Sequence, residues 1–276
     1  MSQEPFLITS AQNPRIKRAV KMRDRRERDE SGCFLIEGYR ELLRAVHAGV
    51  AVETLFICHR LFLGTNERSL ISRAEKAGAE VLECPDHLFQ KLSYRDRPDG
   101  LVAIAKQMKR SLADLEAIVS SKKSPLLVVA EAIEKPGNLG TILRSSDAAG
   151  VDALIVCDRC TDIHNPNVVR ASVGTLFTVP VIEMEGKALL QWLKDRKVHI
   201  VAATPAAKIN FTDANLTGPV AIVMGTEQLG LSEKWMEEAD IQVRIPMHGE
   251  ADSLNVAMAT TLLLYEVVRQ RAKKAS

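Results

Sequence analysis

The chain of 276 residues is 46% hydrophobic and 26% charged, which excludes a disordered chain and leaves room for a real core and two domains. A net charge of +2 argues neither for nor against a nucleic-acid partner, and five cysteines, an odd number in apolar contexts, read as reduced thiols rather than a disulfide framework. The longest uncharged stretch at a functional position, residues 254 to 265, is shorter than the roughly 20 apolar residues of a bilayer span, so no membrane helix or membrane partner is expected.

The chain opens Met-Ser-Gln-Glu-Pro, without the basic segment, apolar run and small-residue cleavage site of a secretory signal, and a cytoplasmic protein is expected. Residues 15 to 28 then carry eight basic side chains (Arg15, Lys17, Arg18, Lys21, Arg23, Arg25, Arg26, Arg28) against Asp24 and Glu27, a local excess of six positive charges. Such a block attracts phosphates over about a Debye length, but a solvated helix face carries the same run, so charge alone leaves RNA contact open. Residues 34 to 107 alternate helix and strand signals: helix 39–48, strand 54–58, helix 67–77, strand 80–84 and strand 101–106. This is the pattern of a small α/β unit. Residues 107–124 turn polar and lysine-rich around a short helical pattern at 112–119, before Pro125. The expected organisation is a first domain over 1–108, a linker over 109–124 and a second domain over 125–276.

In the second domain the runs 126–131, 153–157, 179–183, 198–203, 220–224 and 241–245 are rich in Val, Ile, Leu and Ala and show no alternation. Strands apolar on both faces are buried on both faces, which predicts an α/β fold with a mostly parallel sheet between helix layers. A last helix is predicted from Ser253 to about Arg271. Cys157-Asp-Arg-Cys160, followed by His164, has the spacing of a zinc half-site, but a closed site needs four ligands and no second pair is apparent, so no metal is expected.

Ligands of such sheets bind beyond the carboxyl ends of the strands, where four motifs fall in order. Asn138 is a good N-cap and Gly150 a good C-cap, so 138–149 reads as a helix whose first amides form an anion site. Arg144 follows Gly140 by one turn and should lean back over it, able to grip a phosphate, although a solvent-facing arginine beside a packing glycine fits these residues too. The segment matches neither a dinucleotide fingerprint nor a phosphate-binding NTPase loop. Gly225-Thr-Glu227 puts a carboxylate just past a buried strand, with glycine allowing a close ligand; Glu227 could equally cap the helix of residues 232–238 or pair with a lysine. Ile245-Pro246-Met247 ends a strand in an apolar lip, and Ser253-Leu254-Asn255-Val256 opens the last helix, which together suit an adenine ring bound by its edge. A strand-stopping proline and a helix-capping serine need no ligand to explain them.

Taken together, Asn138-Leu-Gly140-Thr-Ile-Leu-Arg144, Gly225-Thr-Glu227-Gln-Leu-Gly230-Leu-Ser232, Ile245-Pro246-Met247 and Ser253-Leu254-Asn255-Val256 resemble the three ordered motifs of the SpoU (TrmH-type) RNA ribose methyltransferases over residues 125 to 276. A subset with an added N-terminal substrate-binding domain is also similar at Ser10-Ala-Gln-Asn13-Pro14-Arg15-Ile-Lys17 and Cys33-Phe34-Leu-Ile-Glu37-Gly38. The resemblance implies a catalytic domain with a trefoil knot, a homodimer with active sites at its interface, and S-adenosylmethionine as methyl donor. By position it implies cofactor contacts at Gly225, Ile245 and Leu254, with Thr204 and Met247 as neighbours, and a reactive set of Asn138, Arg144, Glu227, Ser253 and Asn255. Asn165-Pro-Asn-Val-Val-Arg170-Ala-Ser172-Val-Gly174 resembles a family loop and helix beside the site. The added domain points to ribosomal RNA ahead of transfer RNA; a transfer-RNA enzyme and a non-catalytic RNA-binding protein of the same fold remain the alternatives.

Overall fold

Apolar runs broken by capping residues set the element boundaries of this chain, and a computed structural model describes them over residues 6–158 and 161–275. The described chain packs as two units: residues up to Met108 together with Asp162–Thr178, and Lys109–Thr161 together with Val179 onward. The opening five residues and Cys160, one cysteine of the Cys157-Asp-Arg-Cys160 spacing for which no metal was expected, lie outside the described residues. Among the described residues no three His, Cys, Asp or Glu side chains are placed to hold a metal, and no helix is long and apolar enough to cross a membrane.

The first unit runs β1 (Phe6–Leu7), α1 (Pro14–Lys21), α2 (Arg25–Ser31), β2 (Cys33–Glu37), α3 (Tyr39–His47), β3 (Val52–Ile57), α4 (Glu67–Lys76), β4 (Glu80–Glu83), α5 (Asp86–Leu92) and β5 (Leu101–Lys106). Its sheet has the order β1-β4-β3-β5-β2, with β5 antiparallel to both β3 and β2. Asn13 and Asp24 start α1 and α2 by accepting the amides two residues ahead, from Arg15 and Arg26. β2 was not among the strands expected; its five residues have no alternation because Cys33, Phe34, Leu35 and Ile36 are all buried.

Six of the eight basic residues of the block are ion-paired within this unit, so of the two readings left open by charge alone the paired helix face accounts for most of it. Arg15 pairs with Glu80 at 2.5 Å, Arg18 with Glu53 at 2.6 Å, and Lys21, Arg25 and Arg26 with Glu27, Asp29 and Glu30. Arg28 is buried on Asp162 at 2.6 Å. Three of these acids, Glu80, Glu53 and Asp162, are distant in sequence, and they offset half of the local excess.

The second unit begins with α6 (Leu112–Ser120), β6 (Leu126–Glu131), α7 (Pro136–Ala149) and β7 (Ala153–Cys157). The helix α6 falls inside the expected linker. A capping box between Ser111 and Asp114 starts it, and Leu115 and Val119 enter the core of this unit, so the segment is part of the domain rather than a tether. Residues 162–178, expected within the second domain, pack instead in the first unit, where α8 (Pro166–Ala171) lies against β2 and the His164 ring stands 4.7 Å from that of Phe34.

The second unit continues with β8 (Val181–Met184), α9 (Gly186–Asp195), β9 (His199–Ala203), β10 (Ile209–Asn210), β11 (Val220–Met224), α10 (Glu233–Glu238), β12 (Ile241–Arg244) and α11 (Val256–Ala275). Its seven strands are all parallel, in the order β10-β12-β9-β11-β6-β7-β8. β6, β7 and β11 are buried at every residue, as uninterrupted apolar runs require. Leu127, Val129, Ile155 and Val223 pack with Leu115, Leu189, Leu193 and Trp235 of α6, α9 and α10. α11 packs on α7 and β11, outside that cluster, so helices cover both faces. Parallel pairing brings the carboxyl ends of β6, β9, β11 and β12 to one edge.

Candidate active site

The loop after β6 leads into α7, which starts at Pro136 with Lys135 as its N-cap, not at Asn138 as the capping preference suggested. Pro136 takes the first-turn position that tolerates a missing N–H. Asn138 therefore sits inside the first turn, its side chain released from capping. Its Nδ2 donates to Glu227 Oε1 at 3.0 Å and its Oδ1 accepts from Asn255 Nδ2 at 3.1 Å. Asn255 Nδ2 also donates to Glu227 Oε1 at 2.7 Å, closing a three-residue ring.

The last helix, by contrast, begins later than expected, at Val256, and Asn255 rather than Ser253 caps it: Asn255 Oδ1 accepts the Ala257 amide at 3.0 Å. Glu227 lies at the same helix start. The Lys135 ammonium bonded to it, then the Asn138 amide and the Val256 N–H, hold its carboxyl below the ordinary glutamate range, so it is ionised at neutral pH. Of the alternatives left open by the sequence, Glu227 does pair with a lysine and does not cap α10. The Ser232 cap instead turns its hydroxyl to Glu131, which accepts the Ser232 hydroxyl at 2.6 Å and its amide at 2.9 Å.

Between Gly225 and Ser232 the chain folds on itself through paired Thr226 and Gly230 backbones at 3.0 and 3.1 Å. A Cβ on Gly225 would stand 2.2 Å from the Gly230 carbonyl oxygen and 2.5 Å from the Leu231 nitrogen. Glycine is thus required by the loop's own backbone, whereas the sequence reading had assigned the space to a ligand. Gly230, at φ +68°, closes the turn where an L side chain is strained.

This loop, the β9 and β12 ends and the approach to α11 wall a cavity of about 560 Å³. Thr204, Gly225, Ile245, Met247 and Leu254, the expected cofactor residues, all line it, together with Glu227 and Ser253. Its charged lining residues are Glu227 and Asp252, both acidic, and the rest is mostly apolar. Asn138 lines a small adjoining cavity of about 80 Å³ with Lys135 and Glu227. Arg144 is not brought into the ring: it is exposed about one and two-thirds turns beyond Asn138 along α7 and lines neither cavity, with no hydrogen bond or ion pair among the described residues. Ser253 reaches the wall without joining the ring. Sequence reasoning missed Lys135, Glu131 and Asp252. The lysine's place immediately before Pro136 marked a helix start, but only the fold shows which carboxylate it meets.

Two family models match the chain: the SpoU rRNA Methylase family over residues 125–265, and the MRM3-like substrate binding domain over residues 13–103. The chain therefore belongs to the SpoU rRNA methylase family. It is 38% identical over 241 residues to the 23S rRNA (guanosine-2'-O-)-methyltransferase RlmB of Pectobacterium atrosepticum, covering 84% of this chain and 98% of that one. It is 32% identical over 254 residues to the 23S rRNA (uridine(2479)-2'-O)-methyltransferase of Streptomyces viridochromogenes, covering 90% and 86%. Among solved structures it is similar to the SpoU methyltransferase AviRb of Streptomyces viridochromogenes in complex with the cofactor AdoMet, at a TM-score of 0.84 and 30% identity, with 95% of this chain and 100% of that chain covered.

Proposed function

We propose that this chain transfers a methyl group from S-adenosylmethionine to a ribose 2'-hydroxyl of ribosomal RNA. The observation that carries the reading is the ring of Asn138, Glu227 and Asn255 at the edge of a cavity whose charged lining residues are both acidic. The lining fits the donor: Ile245, Met247 and Leu254 offer apolar area for a purine, while Asp252, a carboxylate on the wall, suits a positively charged group. The 2'-O specificity and the 23S ribosomal substrate in the names of the two relatives, and the AdoMet of AviRb, support the same chemistry.

When bound, the cofactor supplies an electrophilic sulfonium methyl group. Asn138 and Ser253 orient the ribose hydroxyl for in-line attack, and Glu227 and Asn255 hold the two loops against each other. Glu227, ionised and occupied by Lys135, Asn138 and Asn255, acts as a fastening rather than a base. The hydroxyl must lose its proton during attack. A guanidinium with a pKa above about 12 is a poor acceptor, so Arg144 fixes the adjacent phosphate and polarises the hydroxyl, and the proton passes to water or to that phosphate. Its exposed, unpaired position on α7 leaves it free for a phosphate.

In this reading the first unit selects RNA, the second is catalytic with a trefoil knot, and the protein acts in the cytoplasm as a homodimer. A stripe of exposed apolar side chains on α11, Met258 (64% exposed), Leu262 (43%), Tyr265 (49%) and Val268 (37%), supports the dimer. The test incubates the protein with labelled S-adenosylmethionine and separate ribosomal and transfer RNA pools, then maps alkali-resistant linkages. Label at an alkali-resistant linkage in ribosomal RNA is expected. Label confined to transfer RNA overturns the substrate, alkali-labile label overturns the 2'-O position, and no label overturns the activity.

A further inference from the structure

The Glu37-Gly38 and Asn165 to Gly174 motifs take no part in the cavity described above; both lie in the first unit and build one feature there. Glu37, at the end of β2, accepts the Ser93 hydroxyl, the Tyr94 amide at 2.8 Å and the Arg95 amide at 3.3 Å. Arg95 returns a bond to the Glu37 carbonyl at 2.7 Å and pairs with Glu41 at 2.6 Å. Gly38, at φ +108°, leaves the space that this guanidinium fills: a Cβ there would stand 2.5 Å from both Arg95 Nη2 and Glu41 Oε2. The turn after α5 is thus locked from below by a largely buried ionic cluster.

What this rigid turn presents is an aromatic ring. Tyr94 is 43% exposed. The Arg23 guanidinium lies 5.7 Å from its ring centroid and is itself fixed by the carbonyls of Lys91, Leu92 and Ser93 at 2.7, 3.2 and 2.9 Å. Asn167, next to the start of α8, donates to the Tyr94 hydroxyl at 3.4 Å. Lys91 and Arg97, three residues to either side, are exposed and outside every ion pair among the described residues, with Asp96 the one acid between them. An exposed ring held at its hydroxyl and over one face has already lost the freedom that binding would otherwise take from it.

We propose that Tyr94 is a stacking platform for an unpaired base of the RNA substrate, with Arg23 behind the ring and Lys91 and Arg97 flanking it for the backbone phosphates. The inference rests on the RNA-directed reading given above. Base stacking on an aromatic side chain is tolerant of sequence and demands a splayed base, so the platform selects single-stranded loops over duplex.

The test measures binding of a short fluorescein-labelled single-stranded RNA and of the matching duplex to the full chain and to Tyr94→Ala, Tyr94→Leu and Tyr94→Phe, with thermal unfolding to show that each variant folds. Expected is a loss of about 10-fold or more in single-strand affinity for Ala and Leu, retention in Phe, and duplex binding unchanged. Photocrosslinking of a 4-thiouridine-substituted strand to the peptide bearing Tyr94 gives the same answer without a substitution. Single-strand binding intact in Tyr94→Ala and Tyr94→Leu, or an equal loss for strand and duplex, overturns the platform while leaving RNA binding standing. A full chain that binds neither RNA overturns the RNA-directed reading as well.

Discussion

Replacing Gly225 with alanine probes the loop that shapes the cavity. The new methyl carbon would meet the Gly230 carbonyl oxygen at 2.2 Å, its carbon at 2.3 Å and the Leu231 nitrogen at 2.5 Å, all backbone atoms with no rotamer to yield. Behind them Leu231 and Trp235 are packed in the core, so relief comes only by displacing residues 226–230. That movement breaks the two Thr226–Gly230 backbone bonds at 3.0 and 3.1 Å and the bond from the Leu229 amide to the Thr226 hydroxyl at 2.9 Å. At roughly 1 kcal/mol each, with part re-formed to water, the loss is about 2 kcal/mol, in the range for overpacking. Since Gly225, Thr226 and Gly230 are all wall residues, that energy transfers to the ligand: S-adenosylmethionine affinity should fall about 30-fold and the melting temperature by a few degrees. Gly230→Ala is the matched control, because nothing lies within 4 Å of its Cβ and it carries only the left-handed penalty of about 1 kcal/mol. Isothermal titration calorimetry and differential scanning calorimetry read both. Gly225→Ala binding the cofactor within twofold of the parent, at an unchanged melting temperature, refutes the close-approach reasoning.

Glu227 is held low by Lys135, so its contribution is complete above the ordinary glutamate value near 4.5 and is lost as pH falls through the lowered value. Cofactor affinity should stay flat from about pH 8 down to the ordinary glutamate value near 4.5 and drop only as the pH falls below it. Lys135→Ala lets the carboxyl rise, moving the drop to higher pH, and identical acid limbs in the two proteins would show that Lys135 does not set it. Arg144→Lys keeps charge but loses the two-pronged grip, and should lower methyl transfer by about 100-fold with cofactor affinity unchanged; near-normal turnover contradicts the phosphate-holding role. Asp162→Asn strips the partner from Arg28, which is 1% exposed, and should destabilise the first unit by about 3 kcal/mol in urea unfolding. A change under 1 kcal/mol would mean that the Met22 and Arg23 carbonyls suffice to hold the guanidinium.

Much of this molecule was legible in its residue order. β7 and β11 begin and end where the apolar runs do, and β6 and β5 begin there and run one residue further, to Glu131 and Lys106, because a strand buried on both faces is apolar through its middle. The segments that wall the cavity were legible too, since each interrupts such a run with small or polar groups at a strand end. Capping preference nevertheless misplaced Asn138 and Ser253, since Pro136 starts α7 earlier and Asn255 caps α11 later. Tertiary structure alone decided who pairs with whom. Lys135 meets Glu227 across 92 positions, Arg15 meets Glu80 across 65, and Arg28 meets Asp162 across 134, so a basic block became a set of ion pairs. It also decided that residues 162–178 join the first unit while 112–120 join the second. Periodicity records which face of an element is buried, a local property. Partner choice depends on which distant segments the packed sheet brings within a few ångströms, and no local pattern encodes that distance.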